Sequence, residues 1–312
     1  MTPRIAVLIP CHNEAVAIGR VVAEFRAALP QATIHVFDNN STDATREVAA
    51  AAGAVVRREA LQGKGNVVRR MFADIDADVY VLVDGDDTYE AAAAPRMVAM
   101  LLEDRLDMVT AARVTGSEAA GAYRPGHRLG NVVLTRMVRW VFGDRISDML
   151  SGYRAFSRRF VKSFPALSGG FETETEFTVH ALELRLPVGE IRTRYKERPA
   201  GSASKLRTFR DGFLILRTIV LLVQRERPLA FFSSVALALL AGALLLAAPL
   251  FVTYVETGLV PRFPTAILAT GMVVLSFLSL ACGLILDTVS RGRLEAKHLA
   301  YLAQPPPRGE GG

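Results

Sequence analysis

Residues 79–90, VYVLVDGDDTYE, join an apolar run to a cluster of carboxylates. The run 79–83 is typical of a strand buried in a parallel sheet. Ligand sites in open α/β sheets lie beyond the carboxyl ends of such strands. Asp84 and Asp86 stand at that end, and their oxygens are the hard ligands that Mg²⁺ or Mn²⁺ prefers. The segment therefore predicts a metal site, although an isolated Asp-x-Asp is also typical of a solvated turn.

Apolar runs of this kind alternate with helical patterns through the first half of the chain. The alternation indicates an α/β layer fold with a mostly parallel sheet and right-handed crossovers. Predicted strands cover residues 5–9, 33–37, 54–57, 79–83 and 108–111, with a late strand at 186–195. Predicted helices cover residues 15–29, 42–52, 64–75 and 93–103, with further helices around 124–140, 158–164 and 174–184.

Polar segments also follow the first two predicted strands. The segment IPCHNE places Asn13 and Glu14 at the entrance of a helix. The segment DNNSTD begins with Asp38, a carboxylate suited to a ribose hydroxyl or a base N–H. Each loop alone is typical of ordinary helix capping, but three such loops on consecutive strand ends indicate ligand binding.

The segment QGKGN at residues 62–66 flanks Lys64 with two glycines before a helix. A flexible backbone with a cation suits a phosphate group or the edge of a nucleotide base. The spacing differs from that of a Walker P-loop, so the sequence does not support ATP hydrolysis.

Two stretches without charged side chains, residues 231–255 and 263–286, are each long enough to cross a hydrocarbon core of about 30 Å. Basic residues flank the outer ends of this pair, whereas the connection between the stretches carries only Arg262. The positive-inside rule therefore predicts an integral membrane protein with a hairpin anchor, a cytoplasmic catalytic domain and two cytoplasmic termini. The flanking residues are Arg225, Arg227, Arg291, Arg293 and Lys297.

These features divide the chain into four predicted parts. Residues 1–204 form the α/β catalytic domain, and residues 205–228 form an amphipathic helix that lies in the membrane interface. Residues 229–288 form the transmembrane hairpin, and residues 289–312 form a cytoplasmic tail.

The net charge of +6 raises the question of a nucleic-acid partner. The arginines concentrate around residues 192–227 without a pattern of interleaved aromatic side chains, so no nucleic acid is predicted and anionic membrane lipid is the expected partner. The two cysteines, Cys11 and Cys282, provide no disulfide framework, which agrees with a reducing compartment. The sequence leaves the oligomeric state open, a homo-oligomer included.

The order of these motifs resembles that of family 2 glycosyltransferases with the GT-A fold, over roughly residues 4–225. The matching elements are Pro10-x-x-Asn13-Glu14, DNNSTD, GKGNV and DGDD after an apolar strand. Three later elements resemble those of polyprenyl-phosphate glycosyltransferases, with Tyr153 in place of the usual Phe and one extra residue between Gly201 and Ser204. They are DMLSGYR at 148–154, FETETEF at 171–177 and YKERPAGSASKL at 195–206.

The resemblance implies roles for individual residues of this chain. Contacts with a nucleotide-sugar are implied for Pro10, Asn13, Glu14, Asp38, Asn39, Lys64, Gly65 and Asp84. A metal, Mg²⁺ or Mn²⁺, is implied at Asp84 and Asp86. Contacts with an acceptor phosphate are implied for Arg128, Arg198, Ser204 and Lys205. The predicted catalytic residues are Asp86, Glu174 and Arg198, although a glutamate in a first helical turn also suits the helix dipole.

Together these assignments predict an inverting enzyme that moves one hexose from a UDP- or GDP-sugar to a polyprenyl phosphate. A phosphate monoester has a second pKa of about 6 and already carries an oxyanion near neutral pH, so cationic clamps matter more than a strong base. A processive polysaccharide synthase fits less well, because residues 137–140 lack the glutamine of the Q-x-x-R-W element of that class. A non-catalytic nucleotide-sugar-binding membrane scaffold is the third interpretation, which the intact Asp84 and Asp86 disfavour.

Overall fold

The computed structural model of the chain describes residues 2–114, 148–170, 172–196, 224 and 227–305. The described strands form a seven-stranded sheet in the order β3-β2-β1-β4-β6-β5-β7. The strands are β1 (Ile5–Cys11), β2 (Thr33–Asp38), β3 (Val55–Arg58), β4 (Val79–Leu82), β5 (Met108–Val114), β6 (Arg154–Ser157) and β7 (Val188–Arg194).

Most neighbouring strands run parallel, as the alternating pattern predicts. β1 pairs in parallel with both β2 and β4, and β5 pairs in parallel with β7. β6 is antiparallel to both of its neighbours, β4 and β5. The predicted mostly parallel α/β sheet is therefore confirmed, and the six predicted strands are present with ends shifted by up to three residues.

β6 is the strand that the sequence prediction missed. Its sequence, RAFS, has four residues and begins with an arginine, yet all four residues are buried. A short segment that starts with a charge lacks the apolar run expected of a central strand. The position of β6 between β4 and β5 explains its burial, because both of its edges are hydrogen-bonded.

Helices cover the sheet because their apolar residues recur at helical spacing. In α1 (Ile18–Ala28), Ile18, Val21, Val22 and Phe25 form one buried stripe that packs into the main core. The remaining helices of this unit are α2 (Thr45–Ala51), α3 (Lys64–Asp74), α4 (Ala94–Glu103), α5 (Arg158–Ser163) and α6 (Thr173–Glu183). The helices predicted at 15–29, 42–52, 64–75, 93–103, 158–164 and 174–184 are thus present, whereas 124–140 lies outside the described residues.

An aromatic cluster joins α3, β6, α5 and α6. The rings of Phe156 and Phe160 stack with centroids 4.6 Å apart, and Phe177 lies 4.9 Å from Phe156. His180 packs edge-on against Phe160 at 5.1 Å, and its Nε2 is 3.1 Å from the hydroxyl of Ser163. This cluster fixes α6, whose first turn contributes to the site described below.

The two remaining helices of the described residues are long and apolar: α7 (Pro228–Thr257) and α8 (Phe263–Leu302). α7 and the part of α8 up to residue 295 belong to a second compact unit. Ser276 of α8 donates to the carbonyl of Ala236 at 2.8 Å, and Ser279 donates to that of Phe232 at 3.0 Å. In the described part of the chain both helices are long and apolar enough to cross a membrane. They contain the two stretches predicted as spans.

The helix α8 extends well beyond the predicted end of the hairpin at residue 288. Its last residues, from 296 onward, belong to the first unit, within which Lys297 pairs with Glu183 at 2.5 Å and Tyr301 donates to Asp107 at 2.9 Å. The segment 289–312 was predicted as a cytoplasmic tail, with three prolines and three glycines from Gln304 onward. An amphipathic continuation of the helix accounts for both the polar composition and these contacts. Almost all of the predicted interfacial helix at 205–228 lies outside the described residues.

Candidate functional site

The carboxyl ends of β1, β2 and β4 meet at one edge of the sheet. Cys11 is the register partner of Asp38, and the amide of Asn39 donates to the carbonyl of Cys11 at 2.8 Å. Gly85 packs so closely on Cys11 that a Cβ at Gly85 would stand 2.6 Å from its sulfur. The three polar segments predicted at strand ends therefore lie side by side.

The first two loops are joined through Asn13, which has a positive φ of 54°. Its amide donates to the hydroxyl of Ser41 at 2.9 Å, and its side-chain oxygen accepts from the amide of Thr42 at 2.8 Å. The amide of Glu14 donates to the hydroxyl of Thr45 at 2.9 Å. Asn13 and Glu14 thus hold the DNNSTD loop against the end of β1. Pro10 is partly exposed beside them, at the end of the strand.

The buried side chain of Asn39 holds the loop that leads to Lys64. Its Nδ2 donates to the carbonyls of Glu59 and Leu61, and its Oδ1 accepts from the amide of Gly63 at 2.7 Å. All of these partners are backbone groups, so the geometry assigns Asn39 to loop positioning. A direct contact of Asn39 with a nucleotide stays a prediction. The neighbouring Asp38 is only 1% exposed.

The three aspartates of the DGDD segment have different surroundings. The side chain of Asp84 is 29% exposed, whereas Asp86 is buried and accepts from the hydroxyl of Thr88 at 2.6 Å. Asp87 has a φ of 57°, and its carboxylate pairs with Arg20 and Lys196, each at 3.1 Å. Asp87 therefore fastens the loop to α1 and to the end of β7. The sequence prediction missed this role, because both partners are distant in the chain.

Lys64 lies between two carboxylates. Its Nζ is 2.5 Å from Asp84 Oδ1 and also contacts Glu174 Oε1. Burial lowers the pKa of the ammonium, but the charges of Asp84 and Glu174 outweigh that effect and raise its pKa above the ordinary value. Burial raises the pKa of Glu174, and Lys64 opposes the rise. The structure thus brings Lys64, Asp84 and Glu174 together, as three of the predicted site residues.

The loop before α6 fixes the backbone around Lys64. A Cβ at Gly65 would collide with the carbonyl oxygen of Ser168, and one at Gly63 would collide with that of Gly169. Glu176 holds this covering loop by accepting from the amides of Leu167 and Ser168, at 2.9 and 3.0 Å. Gly65 is therefore required for close packing, and Glu176 serves the covering loop rather than the site directly.

The turn before β6 forms the wall behind Asp84. A Cβ at Gly152 would collide with Asp84 Oδ2, and the Gly152 amide donates to the hydroxyl of Tyr89 at 2.9 Å. Fully buried Arg154 binds the carbonyls of Ser151 and Met149, at 3.0 and 2.6 Å, and so shapes the turn. This contact with Asp84 was not predicted, although the SGYR residues were noted as part of a motif.

The thiol of Cys11 lies near several carboxylates of the site. Burial raises the pKa of this thiol well above its ordinary value, and nearby carboxylates raise it further. These carboxylates are Glu14, Asp38, Asp84 and Asp86. Four carboxylates from three strand ends thus lie near Cys11, which makes this edge of the sheet acidic.

Asp84 and Asp86 are the candidate ligands for a metal in this site. Among the described residues, no cluster of three or more His, Cys, Asp or Glu side chains with the arrangement of a metal site is present. Asp84 and Asp86 nevertheless provide hard oxygen ligands in a negative corner, and Mg²⁺ commonly takes one or two carboxylates together with substrate phosphates. The residues present fit a cation that is shared with a phosphate ligand. Arg128, Arg198, Ser204 and Lys205 lie outside the described residues.

Comparison with known proteins gives a family and a fold. The model of the family described as "Glycosyl transferase family 2" matches residues 6–164. Glycosyltransferase AglJ of Haloferax volcanii is 36% identical over 251 residues, which are 80% of this chain and 81% of that protein. The Dolichyl-phosphate hexose transferase of the same organism is 29% identical, over 72% of this chain and 95% of that protein.

Solved structures agree in fold. Glucosyl-3-phosphoglycerate synthase from Mycobacterium tuberculosis, in complex with Mn²⁺ and UDP-glucose, aligns with a TM-score of 0.56. The alignment covers 71% of this chain and 78% of that chain, at 22% sequence identity. The likeness at this identity extends to the fold, which is GT-A-like.

Proposed function

The chain belongs to glycosyl transferase family 2, and we propose that it transfers one hexose, with inversion, from a UDP- or GDP-sugar to a polyprenyl phosphate at the cytoplasmic face of a membrane. The main support for a nucleotide-sugar donor is the group of Asp84, Asp86 and Lys64 near the end of β4. Two carboxylates for a cation and one ammonium for a phosphate are the groups that a sugar diphosphate requires.

The donor is held from two sides in this proposal. Asp84 and Asp86 would hold Mg²⁺ or Mn²⁺, and that cation would supply positive charge to neutralise the departing diphosphate. Lys64, at the N-terminus of α3, donates to the diphosphate oxygens, and the helix end favours the same negative charge. Pro10, Glu14 and Asp38 lie on the two neighbouring strand ends, where the nucleoside would extend. The Mycobacterium synthase, solved with Mn²⁺ and UDP-glucose, is an example of such a ligand pair on this fold.

The acceptor needs a cationic clamp more than a base. Near neutral pH a polyprenyl phosphate already carries an oxyanion, which attacks the anomeric carbon from the face opposite the diphosphate. A bond forms from that oxygen to the sugar, and the bond to the diphosphate breaks with its electron pair leaving on the nucleotide. Arg128, Arg198, Ser204 and Lys205 are the proposed contacts of the acceptor phosphate.

The lipid nature of the acceptor is supported by two observations. α7 and α8 are long, apolar and mostly exposed, as expected of helices that face lipid. The Haloferax relative named Dolichyl-phosphate hexose transferase acts, by its name, on a polyprenyl-type phosphate. Basic residues at the outer ends of the two helices support, by the positive-inside rule, a catalytic domain on the cytoplasmic side.

The test is a transfer assay with the purified full chain in detergent. A panel of UDP- and GDP-hexoses is incubated with a polyprenyl phosphate and Mn²⁺ or Mg²⁺, and the organic phase is analysed for a lipid-linked monosaccharide. Formation of a single-hexose product that requires the metal supports the proposal. Donor hydrolysis without any lipid product would reject the lipid acceptor, and neither product with any donor would indicate a non-catalytic scaffold.

A further inference from the structure

We propose that Lys64 is the resident counter-ion of Asp84, that a divalent cation displaces it, and that Glu174 then keeps the displaced ammonium beside the donor diphosphate. This inference rests on the metal and donor assignments of the proposed function. Lys64 therefore competes with the metal when the donor is absent and cooperates with it when the donor is bound. Glu174 is a positioning residue for Lys64.

Lys64 lies against one of the two proposed metal ligands. Nζ of Lys64 is 2.5 Å from Oδ1 of Asp84, the more exposed of the two proposed metal ligands. The side chain of Lys64 is only 9% exposed, so water does little to screen its charge. An ammonium against Oδ1 opposes the binding of a divalent cation to the same oxygen, because the two like charges would be in near contact. Metal binding through Oδ1 of Asp84 therefore favours the departure of Nζ from that oxygen.

Glu174 is a second anionic partner for Lys64. Glu174 already contacts Nζ through Oε1, and it is buried on a different element, the first turn of α6. In the described part of the structure, Oε2 of Glu174 is buried without a hydrogen-bond partner. An ammonium has three donors, so Nζ can bind both oxygens of Glu174 and a phosphate oxygen at once. The displaced charge therefore stays neutralised and stays in the site.

The backbone on both sides of Lys64 is closely packed. Gly63 and Gly65 pack so closely against the carbonyls of Gly169 and Ser168 that a Cβ at either glycine would collide with them. The exchange of partners therefore needs only a movement of the lysine side chain. A nucleoside diphosphate offers Lys64 a replacement for Asp84, which couples metal binding to diphosphate binding.

The test measures Mn²⁺ binding to the purified full chain in detergent by electron paramagnetic resonance, without donor or acceptor. Lys64→Gln should bind Mn²⁺ about five- to tenfold more tightly than the wild type, because the competing cation is gone. The matched control is Arg46→Gln, which removes a cation 3.9 Å from Asp38 instead of one on Asp84 and should change the affinity less than twofold. An unchanged or weaker Mn²⁺ affinity of Lys64→Gln would overturn the proposal.

Glu174→Gln should change the Mn²⁺ affinity in the opposite direction. When the carboxylate of Glu174 is removed, Asp84 is the remaining anionic partner of Lys64 in this pair of contacts. The ammonium then competes more strongly for Asp84, so Mn²⁺ should bind several-fold more weakly. The double variant Lys64→Gln/Glu174→Gln carries no unpaired buried charge from this pair, and it serves if Lys64→Gln fails to fold. It should bind Mn²⁺ more tightly than Glu174→Gln does, and equal affinities of these two variants would contradict the displacement of Lys64.

Addition of UDP or GDP tests whether Lys64 cooperates with the metal when a diphosphate is bound. Whichever of the two nucleotides binds should increase the Mn²⁺ affinity more in the wild type than in Lys64→Gln. An equal increase in both proteins would refute the coupling. These measurements contain no sugar transfer. Failure of the transfer assay would therefore reject the proposed function while leaving the displacement of Lys64 to be decided by Mn²⁺ binding.

Discussion

At the residue scale, three aspartates within four positions have different environments, and the sequence does not distinguish them. Asp84 contacts Lys64, Asp86 accepts from Thr88, and Asp87 joins Arg20 to Lys196. The pattern of a strand followed by DGDD was enough to predict an acidic site. The assignment of Asp87 to an anchor depends on partners 67 and 109 residues away in sequence, which no local pattern contains.

Gly152 offers a test of how closely Asp84 is held. A methyl group at this position would collide with the Asp84 carboxylate, so Gly152→Ala should move that carboxylate. We expect the Mn²⁺ concentration for half-maximal transfer to rise at least about tenfold, a loss of about 1.4 kcal/mol of metal binding.

The matched control for Gly152→Ala is Gly292→Ala in α8, where an added Cβ meets no atom within 4 Å. It should leave the metal requirement unchanged. A Gly152→Ala variant with the metal dependence of the wild type would show that the turn does not set the position of Asp84.

His180 makes the aromatic cluster sensitive to acid. Burial lowers its pKa to about 3, and nearby Lys297 and His298 lower it as well. The unfolded chain takes up a proton near pH 6.5 and the folded chain only near pH 3. The stabilising contribution of His180 is therefore complete above pH 6.5 and is lost as the pH falls toward 3.

The prediction compares the wild type with His180→Gln, which cannot titrate and retains a donor near Ser163. Between pH 7 and pH 4.5 the wild type should lose roughly 2 to 3 kcal/mol more unfolding free energy than the variant. Chemical denaturation of the detergent-solubilised proteins at both pH values measures this difference. Equal losses would mean that His180 is protonated in the folded state.

At the scale of elements, hydrophobic patterning predicted the strands and helices that the sheet edge requires. The runs that form β1, β2 and β4 are apolar and end in polar loops, so their convergence followed from parallel pairing. β6 could not be found in this way, because burial of its first residue depends on hydrogen bonds from Arg154 to the turn before it. The extension of α8 was missed because helical polar sequence and tail sequence have similar compositions.

A substitution of Arg154 tests how much its buried hydrogen bonds stabilise β6. Burial lowers its pKa to about 10, so the guanidinium remains charged at neutral pH. Arg154→Lys keeps the charge but cannot reach all of its partners, the carbonyls of Met149 and Ser151 and the hydroxyl of Thr178. We expect the unfolding free energy to fall by about 2 to 4 kcal/mol in denaturant titrations.

The control for Arg154→Lys is Arg70→Lys, an exposed arginine paired with Asp74 one helical turn away. Its unfolding free energy should stay within about 0.5 kcal/mol of the wild type. If both variants were equally stable, the network around Arg154 would contribute nothing beyond its charge.

At the scale of the whole molecule, the chain combines a catalytic unit with a pair of apolar helices. Composition predicted the pair, since uncharged stretches of such length are rare outside membranes. The sequence did not predict that residues 296–305 pack with the catalytic unit, because Lys297–Glu183 and Tyr301–Asp107 are contacts across more than a hundred residues.

The predicted orientation in the membrane can be checked with two matched cysteines. Leu259, in the connection between the helices, and Leu299, near the end of α8, are 68% and 69% exposed. In a Cys282→Ala background, a membrane-impermeant maleimide applied to intact cells should label Leu259→Cys and leave Leu299→Cys unlabelled until the cells are permeabilised. Cys11 should stay unlabelled throughout, because it is buried and its pKa is raised. The reverse pattern would place the catalytic unit outside.

The most direct measurement of the central claim is hexose transfer by Asp86→Ala. With the cation-binding pair broken, the account predicts loss of transfer to background, with membrane retention and the thermal unfolding midpoint kept close to the wild type. Asp104→Ala, at an exposed aspartate after α4, is the control and should transfer at the wild-type rate. Transfer by Asp86→Ala at a rate near that of the wild type would contradict the claim that the acidic pair at the end of β4 holds the metal for the departing diphosphate.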